Sequence, residues 1–172
     1  MIRKVTPDDA QAITDIYNPF ITHTTVTFET EPVSVDEMRR RIVTLSADYP
    51  YYVYEHQGQV LGYCYLHAWK PRAAYARTLE VTIYLASEAQ GHDVGRSMIS
   101  RLVADARQLG VQALIACITE ENTHSMAFHR AMGFKQVSHF ESVGYKFGRM
   151  LDVVDFELLL GVLLVNMLRW NL

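Results

Sequence analysis

The spacing of apolar positions changes several times along the chain, and the changes mark its elements. Thr78 to Leu85 gives the clearest signal. Leu79, Val81, Ile83 and Leu85 fall on one side and Thr78, Glu80, Thr82 and Tyr84 on the other, the two-residue repeat of a strand. Tyr51–Glu55 and Val60–His67 read as two strands joined by a turn at Gln57-Gly58. Ile2–Val5 is a short strand and Ala113–Ile118 a buried one; Phe134–Phe140 and Val153–Leu160 are expected to be the last two. Elsewhere the repeat is helical. Ala10, Ile13, Ile16 and Tyr17 form the inner face of a helix that opens at Thr6-Pro7 and is expected to end or kink at Asn18-Pro19. Ser34 and Glu37 have capping-box spacing ahead of a second helix bearing Val35, Met38, Ile42 and Leu45. Met98, Leu102, Ala106 and Leu109 stripe a long third helix closed by Gly110, and Asn122 and Thr123 offer caps to a short fourth that ends at Gly133. Thr22–Thr30 and the basic stretch Ala68–Arg77 read as loops. This mixture predicts an α/β or α+β fold with a mixed sheet.

Composition adds limits. At 172 residues, with no repeat, linker or low-complexity run, one domain is expected. A net charge of −3 argues against a nucleic-acid partner. Two cysteines, Cys64 and Cys117, exclude a disulfide scaffold and a four-cysteine zinc site. Both lie in apolar runs and read as buried free thiols. The seven histidines lack ligand spacing, so no metal is expected. No signal-like run opens the chain, and Leu158–Leu172, with Gly161, Asn166 and Arg169, falls short of the ~20 apolar residues of a spanning helix. The expectation is a cytoplasmic protein without a membrane partner.

One junction suggests chemistry. The strand ending at Leu85 leads through Gln90-Gly91-His92-Asp93-Val94-Gly95 into the third helix. Helix starts leave backbone N–H groups open and carry positive potential, which suits an anion. Alone the signal is weak, because the turn has neither G-x-G-x-x-G nor G-K-[ST]. With its neighbours it resembles the GNAT superfamily of N-acetyltransferases, whose motif here is [Q/R]-x-x-G-x-[G/A]. Gln90 and Gly95 fit that motif, while Asp93 replaces its central glycine. The chain is most similar to the phosphinothricin and methionine sulfone acetyltransferase branch. The likeness is carried by Ile16-Tyr17-Asn18, Thr24-Thr25, Phe28, Glu31-Pro32-Val33-Ser34, Leu61-Gly62-Tyr63, Trp69-Lys70-Pro71-Arg72, Thr78-Leu79-Glu80 and Val143–Arg149. Asn122, Ser125, His129 and Gly133-Phe134 fit its fourth-helix pattern. The likeness covers Ile2–Leu160, so 1–160 is expected to be the acetyltransferase domain and 161–172 an apolar extension.

The resemblance implies a GNAT fold, with a mixed, mostly antiparallel sheet flanked by helices, and direct acetyl transfer from acetyl-CoA to the amine of a small amino acid or analogue. It assigns acetyl-CoA to backbone groups of Ile83, Tyr84 and Leu85, to Gly91, His92, Asp93, Val94, Gly95 and Arg96, and to Asn122 and Ser125. An α-ammonium of pKa about 8 must lose a proton before it attacks. Glu80 on the polar strand face is the candidate base, and His129 the candidate acid for the departing thiolate. Lys70, Pro71, Arg72, Arg77, Val81 and Thr82 are expected around the acceptor, the cations suiting a carboxylate or phosphinate. The branch carries arginine where this chain has Ala76. It also implies a homodimer. The alternatives are an enzyme for another amine, such as a peptide N-terminus or a polyamine, and a non-catalytic acyl-CoA-binding module, the latter suggested by Asp93.

Overall fold

The computed structural model describes residues 1–161. In chain order it contains β1 (Ile2–Lys4), α1 (Ala10–His23), α2 (Val35–Asp48), β2 (Tyr51–His56), β3 (Gln59–Ala68), β4 (Thr78–Leu85), α3 (Val94–Gln108), β5 (Ala113–Thr119), α4 (Thr123–Ala131), β6 (Lys135–Gln136), β7 (Phe140–Lys146) and β8 (Arg149–Leu159). The strands form one sheet in the order β1-β2-β3-β4-β5-β8-β6, with β7 also paired to β8. Every pairing is antiparallel except β4 with β5. That parallel ladder joins Thr78–Glu80 to Ala113–Ile115 and stops there, although both strands continue.

Alternation along the strands sorts the core into two layers. Leu79, Val81, Leu114, Ala116, Ile118, Val154 and Phe156 pack with Met98, Ile99 and Leu102 of α3. On the opposite face Tyr51, Val53 and Tyr63 meet Ile13, Ile16, Tyr17 and Ile42 of α1 and α2. Caps read from the sequence form as expected: Ser34 Oγ accepts from Glu37 N at 3.2 Å, and Asn122 Oδ1 from Ser125 N at 3.1 Å.

Four local expectations need correction. α1 runs through Pro19 to His23. The proline removes a bond to the Asp15 carbonyl, but Asp15 and Pro19 lie on the exposed side, where water can satisfy that group. Asn18 holds the turn from inside, bonding Val33 N and O at 2.9 and 3.0 Å. Leu109 lies outside the core stripe and is 60% exposed, because α3 ends at Gln108. Phe134–Phe140 is not one strand: β6 is two residues long, and the chain re-enters the sheet as a β7–β8 hairpin turning at Phe147-Gly148, both at positive φ. Cys64 is buried as expected, but Cys117 is exposed.

Candidate active site

Where β4 and β5 part, a cavity of about 550 Å³ opens. Ile83, Tyr84 and Leu85 form one wall and Asn122, Ser125 and Phe128 another. Gly91, Asp93, Val94, Gly95 and Arg96 close the third side, where the first N–H groups of α3 have no partner within the helix. Gly95 packs tightly: a Cβ there would lie 3.3 Å from the Phe128 ring, which would have to give by a few tenths of an ångström. Phe20 of α1 and Val26 of the following loop complete the lining, and no sequence pattern had marked them.

Asp93 is the discordant residue of this cradle. It precedes α3 at φ 56°, a left-handed conformation that glycine adopts without strain. Its carboxylate lies 3.6 Å from Arg96 Nε, and both side chains are largely exposed. His92 bonds Gln90 O at 2.8 Å and stands outside the cavity lining.

Glu80 faces away from α3, one strand repeat from Thr82 and two from Tyr84 of the cavity wall. Burial, and then the charge of Asp155, raise its pKa to about 7. Ile115, Cys117 and Thr119 of β5 and Val153, Asp155 and Glu157 of β8 alternate opposite to the α3-facing residues and so share its side. Cys117 is exposed although its strand is central in the sheet, so this part of the face is an open trough. Partial burial, followed by the Glu80 and Asp155 carboxylates, raises the Cys117 thiol to about 12. A thiol so poorly ionised is a weak nucleophile. His67 of β3 is the cross-strand partner of Glu80, with Nε2 3.8 Å from Glu80 Oε1. The loop after α1 borders the trough: Thr25 O accepts from Thr119 Oγ1 at 2.6 Å, and Thr27 O from the buried Lys146 Nζ at 2.7 Å.

Other expected residues fall differently. Val81 is 6% exposed and points into the α3 core, so it does not face an acceptor; the two-residue repeat that presents Glu80 turns Val81 away. His129 is 3% exposed and outside the cavity lining. Its Nδ1 lies 2.9 Å from Ser125 O, its Nε2 has no hydrogen-bond partner, and burial lowers its pKa. A buried imidazole that resists protonation is poorly suited to supplying a proton. Lys70 lies over the Trp69 ring at 4.0 Å, whereas Pro71, Arg72 and Arg77 are exposed, and neither arginine forms an ion pair among the described residues. His67, Cys117 and Asp155 come beside Glu80 only when strands distant in sequence are paired, so no local pattern marks them.

A family model for the acetyltransferase (GNAT) domain matches residues 2–154. Phosphinothricin N-acetyltransferase of Alcaligenes faecalis is 41% identical over 155 residues, covering 89% of this chain and 79% of that protein. L-methionine sulfoximine/L-methionine sulfone acetyltransferase of Salmonella typhimurium is 33% identical, covering 91% and 92%. Among solved structures, a phosphinothricin acetyltransferase of Sinorhizobium meliloti in complex with acetyl-CoA superposes with a TM-score of 0.89 at 36% identity, covering 94% and 88%. An N-acetyltransferase of Staphylococcus aureus superposes at 0.91 with 33% identity, covering 94% and 98%.

Proposed function

The chain belongs to the acetyltransferase (GNAT) domain family, and from that premise we propose that it acetylates the amine of a small amino acid or amino-acid analogue. The observation that carries this reading is the parting of β4 and β5, which opens an anion-suited cavity beside the start of α3 on the same strand as a carboxyl half-ionised near neutrality. Acetyl-CoA supplies an acetyl thioester. Its phosphates suit the open N–H groups of Val94, Gly95 and Arg96, with Gly91 leaving the approach clear and Arg96 offsetting Asp93. Backbone groups of Ile83, Tyr84 and Leu85 and the Asn122 and Ser125 side chains suit the rest of the molecule.

On the trough side Glu80 takes the proton that keeps an α-amine from attacking, and a pKa of about 7 suits that task. Thr82 borders it. Lys70, over the Trp69 ring, and Arg72 and Arg77 are all exposed and suit a carboxylate or phosphinate. The relatives' names make phosphinothricin, methionine sulfone and methionine sulfoximine the first acceptors to try. Polyamines fit the basic loop poorly, and peptide N-termini are the next class. We place the enzyme in the cytoplasm, which keeps thiols such as Cys64 and Cys117 reduced. We further propose a homodimer, supported by the apolar strip Phe140, Val143, Tyr145, Phe147 and Met150 exposed on the β7–β8 hairpin.

The test is a thermal-shift titration with acetyl-CoA followed by thiol release against an amine panel. Stabilisation with turnover on the amino-acid analogues is the expected result. Asp93 favours one second reading, a module that binds acyl-CoA without turning it over; stabilisation without thiol release on any amine establishes that instead.

A further inference from the structure

One buried charge has no part in the chemistry above. Lys146, near the tip of the β7–β8 hairpin, is 3% exposed, yet its ammonium forms no ion pair among the described residues. Burial opposes its charge, Glu29 favours that charge without contact, and the Phe147 ring lies 5.1 Å from Nζ. Its one hydrogen bond among those residues runs from Nζ to Thr27 O at 2.7 Å, across 119 positions of sequence. A lone ammonium held by a neutral carbonyl is costly to bury, and an apolar side chain of similar length would fill the space without that cost. Packing alone therefore does not explain a lysine. A charged donor does form a bond roughly twice as strong as a neutral one, and so fixes the carbonyl that it grips.

That carbonyl belongs to the connection between α1 and α2, Thr24–Ser34, which has neither helix nor strand to hold it. Its start is tied to the end of β5: Thr119 Oγ1 donates to Thr25 O at 2.6 Å, and Thr25 Oγ1 to Glu121 Oε2 at 3.0 Å. Val26, which lines the cofactor cavity, adjoins those ties. The next hold is at Thr27, from Lys146 on the carbonyl and from Tyr17 of α1 on the hydroxyl, at 2.7 Å each. Phe28 follows, with its ring against Gly144. We propose that Lys146 is a positioning residue for the acceptor: by fixing Thr27 and the adjoining Phe28, it sets the wall of the trough in which the amine is held. The ties at Thr25 do not depend on it, so Lys146 bears on one substrate and leaves the cofactor cavity unchanged.

The proposal rests on the trough being the acceptor side, and the experiment separates the two. Lys146→Met keeps the length and removes the charge; Lys146→Arg keeps a cationic donor. Both are compared with wild type by acetyl-CoA thermal shift, by steady-state kinetics in each substrate, and by hydrogen exchange of the backbone amides of residues 25–29. The methionine variant is expected to melt cooperatively, to exchange faster from residue 27 onward, and to raise the acceptor KM several-fold with acetyl-CoA KM unchanged; arginine is expected to recover part of the loss. An unchanged acceptor KM in the methionine variant overturns the proposal. So do equal rises in both KM values, a deficit that arginine does not lessen, or loss of the cooperative melt, which would make Lys146 part of the fold at large. Absence of thiol release by the wild type on every amine overturns the acceptor reading itself and Lys146's role with it.

Discussion

A carboxyl that is half-ionised near pH 7 affects both rate and stability, so Glu80 can be tested twice. The base exists only when deprotonated. The value of kcat/KM is therefore expected to rise with pH through about 7. Replacing Glu80 by Gln should lower kcat ~10²–10⁴-fold while isothermal titration finds acetyl-CoA affinity unchanged. The stability effect has a definite sign. The folded pKa lies above an unfolded value of about 4.3, so ionising Glu80 weakens the fold progressively from there to about 7, and the whole penalty stands above it. Glu80→Gln should accordingly match wild type in denaturant melts at pH 4 and exceed it by about 3–4 kcal/mol at pH 8. Equal stability at both pH values would mean that the carboxyl is not desolvated. Asp93 offers a second test at this scale. Glycine accepts φ 56° without strain and removes an anion beside the phosphate-suited turn, so Asp93→Gly should raise Tm and tighten acetyl-CoA binding. Weaker binding would give the Asp93–Arg96 pair a positive role.

At the level of elements, the sequence was legible wherever one local rule decided the outcome. The two-residue repeat of Thr78–Leu85 correctly put Glu80 and Thr82 on one face, and the same rule turns Val81 into the α3-side core. The helix does not end at Pro19 because the hydrogen bond that the proline removes faces water. The β7–β8 hairpin was missed because Glu141, Ser142 and exposed Val143 and Tyr145 obscure any alternation, and its pairing is fixed only by β8. The acidic trough was not legible at all, since Cys117 and Asp155 meet only through the β5–β8 register. That hairpin also supports the loop after α1. Phe28 packs on Gly144 so closely that a Cβ there would lie 2.2 Å from its ring. Gly144→Ala must therefore displace the Phe28 ring, which belongs to the loop that borders the trough. Because Phe28 is 40% exposed, its ring has room to move and the loss of stability should be small. The expected signature is a several-fold higher acceptor KM with acetyl-CoA KM unchanged; a shift in the cofactor term instead would assign the loop to the other face.

For the whole molecule, two boundaries are at issue: where a partner docks and where the domain ends. If the β7–β8 strip is the homodimer face, Tyr145→Asp, which places a charge on a side chain 67% exposed, should yield monomers by light scattering with the acetyl-CoA thermal shift retained. An unchanged mass would free that strip of the role. The end of the domain is set by what the core requires. Among the described residues the core clusters run up to Leu160, which is itself 6% exposed and bonds its N–H to Gln112 O at 2.9 Å. The apolar tail, with Val162, Leu163, Leu164, Val165, Met167, Leu168 and Trp170, follows Leu160, and its residues from 162 lie outside those described. We propose that the tail covers an apolar surface of the protomer or of its dimer partner rather than contributing to the core. A chain ending at Leu160 should then melt cooperatively, keep its stabilisation by acetyl-CoA of ~2.7 kcal/mol at a hundredfold excess over Kd, and differ from the full chain only in oligomeric state. Loss of the cooperative melt would move the domain boundary past residue 160 and make the tail part of the fold.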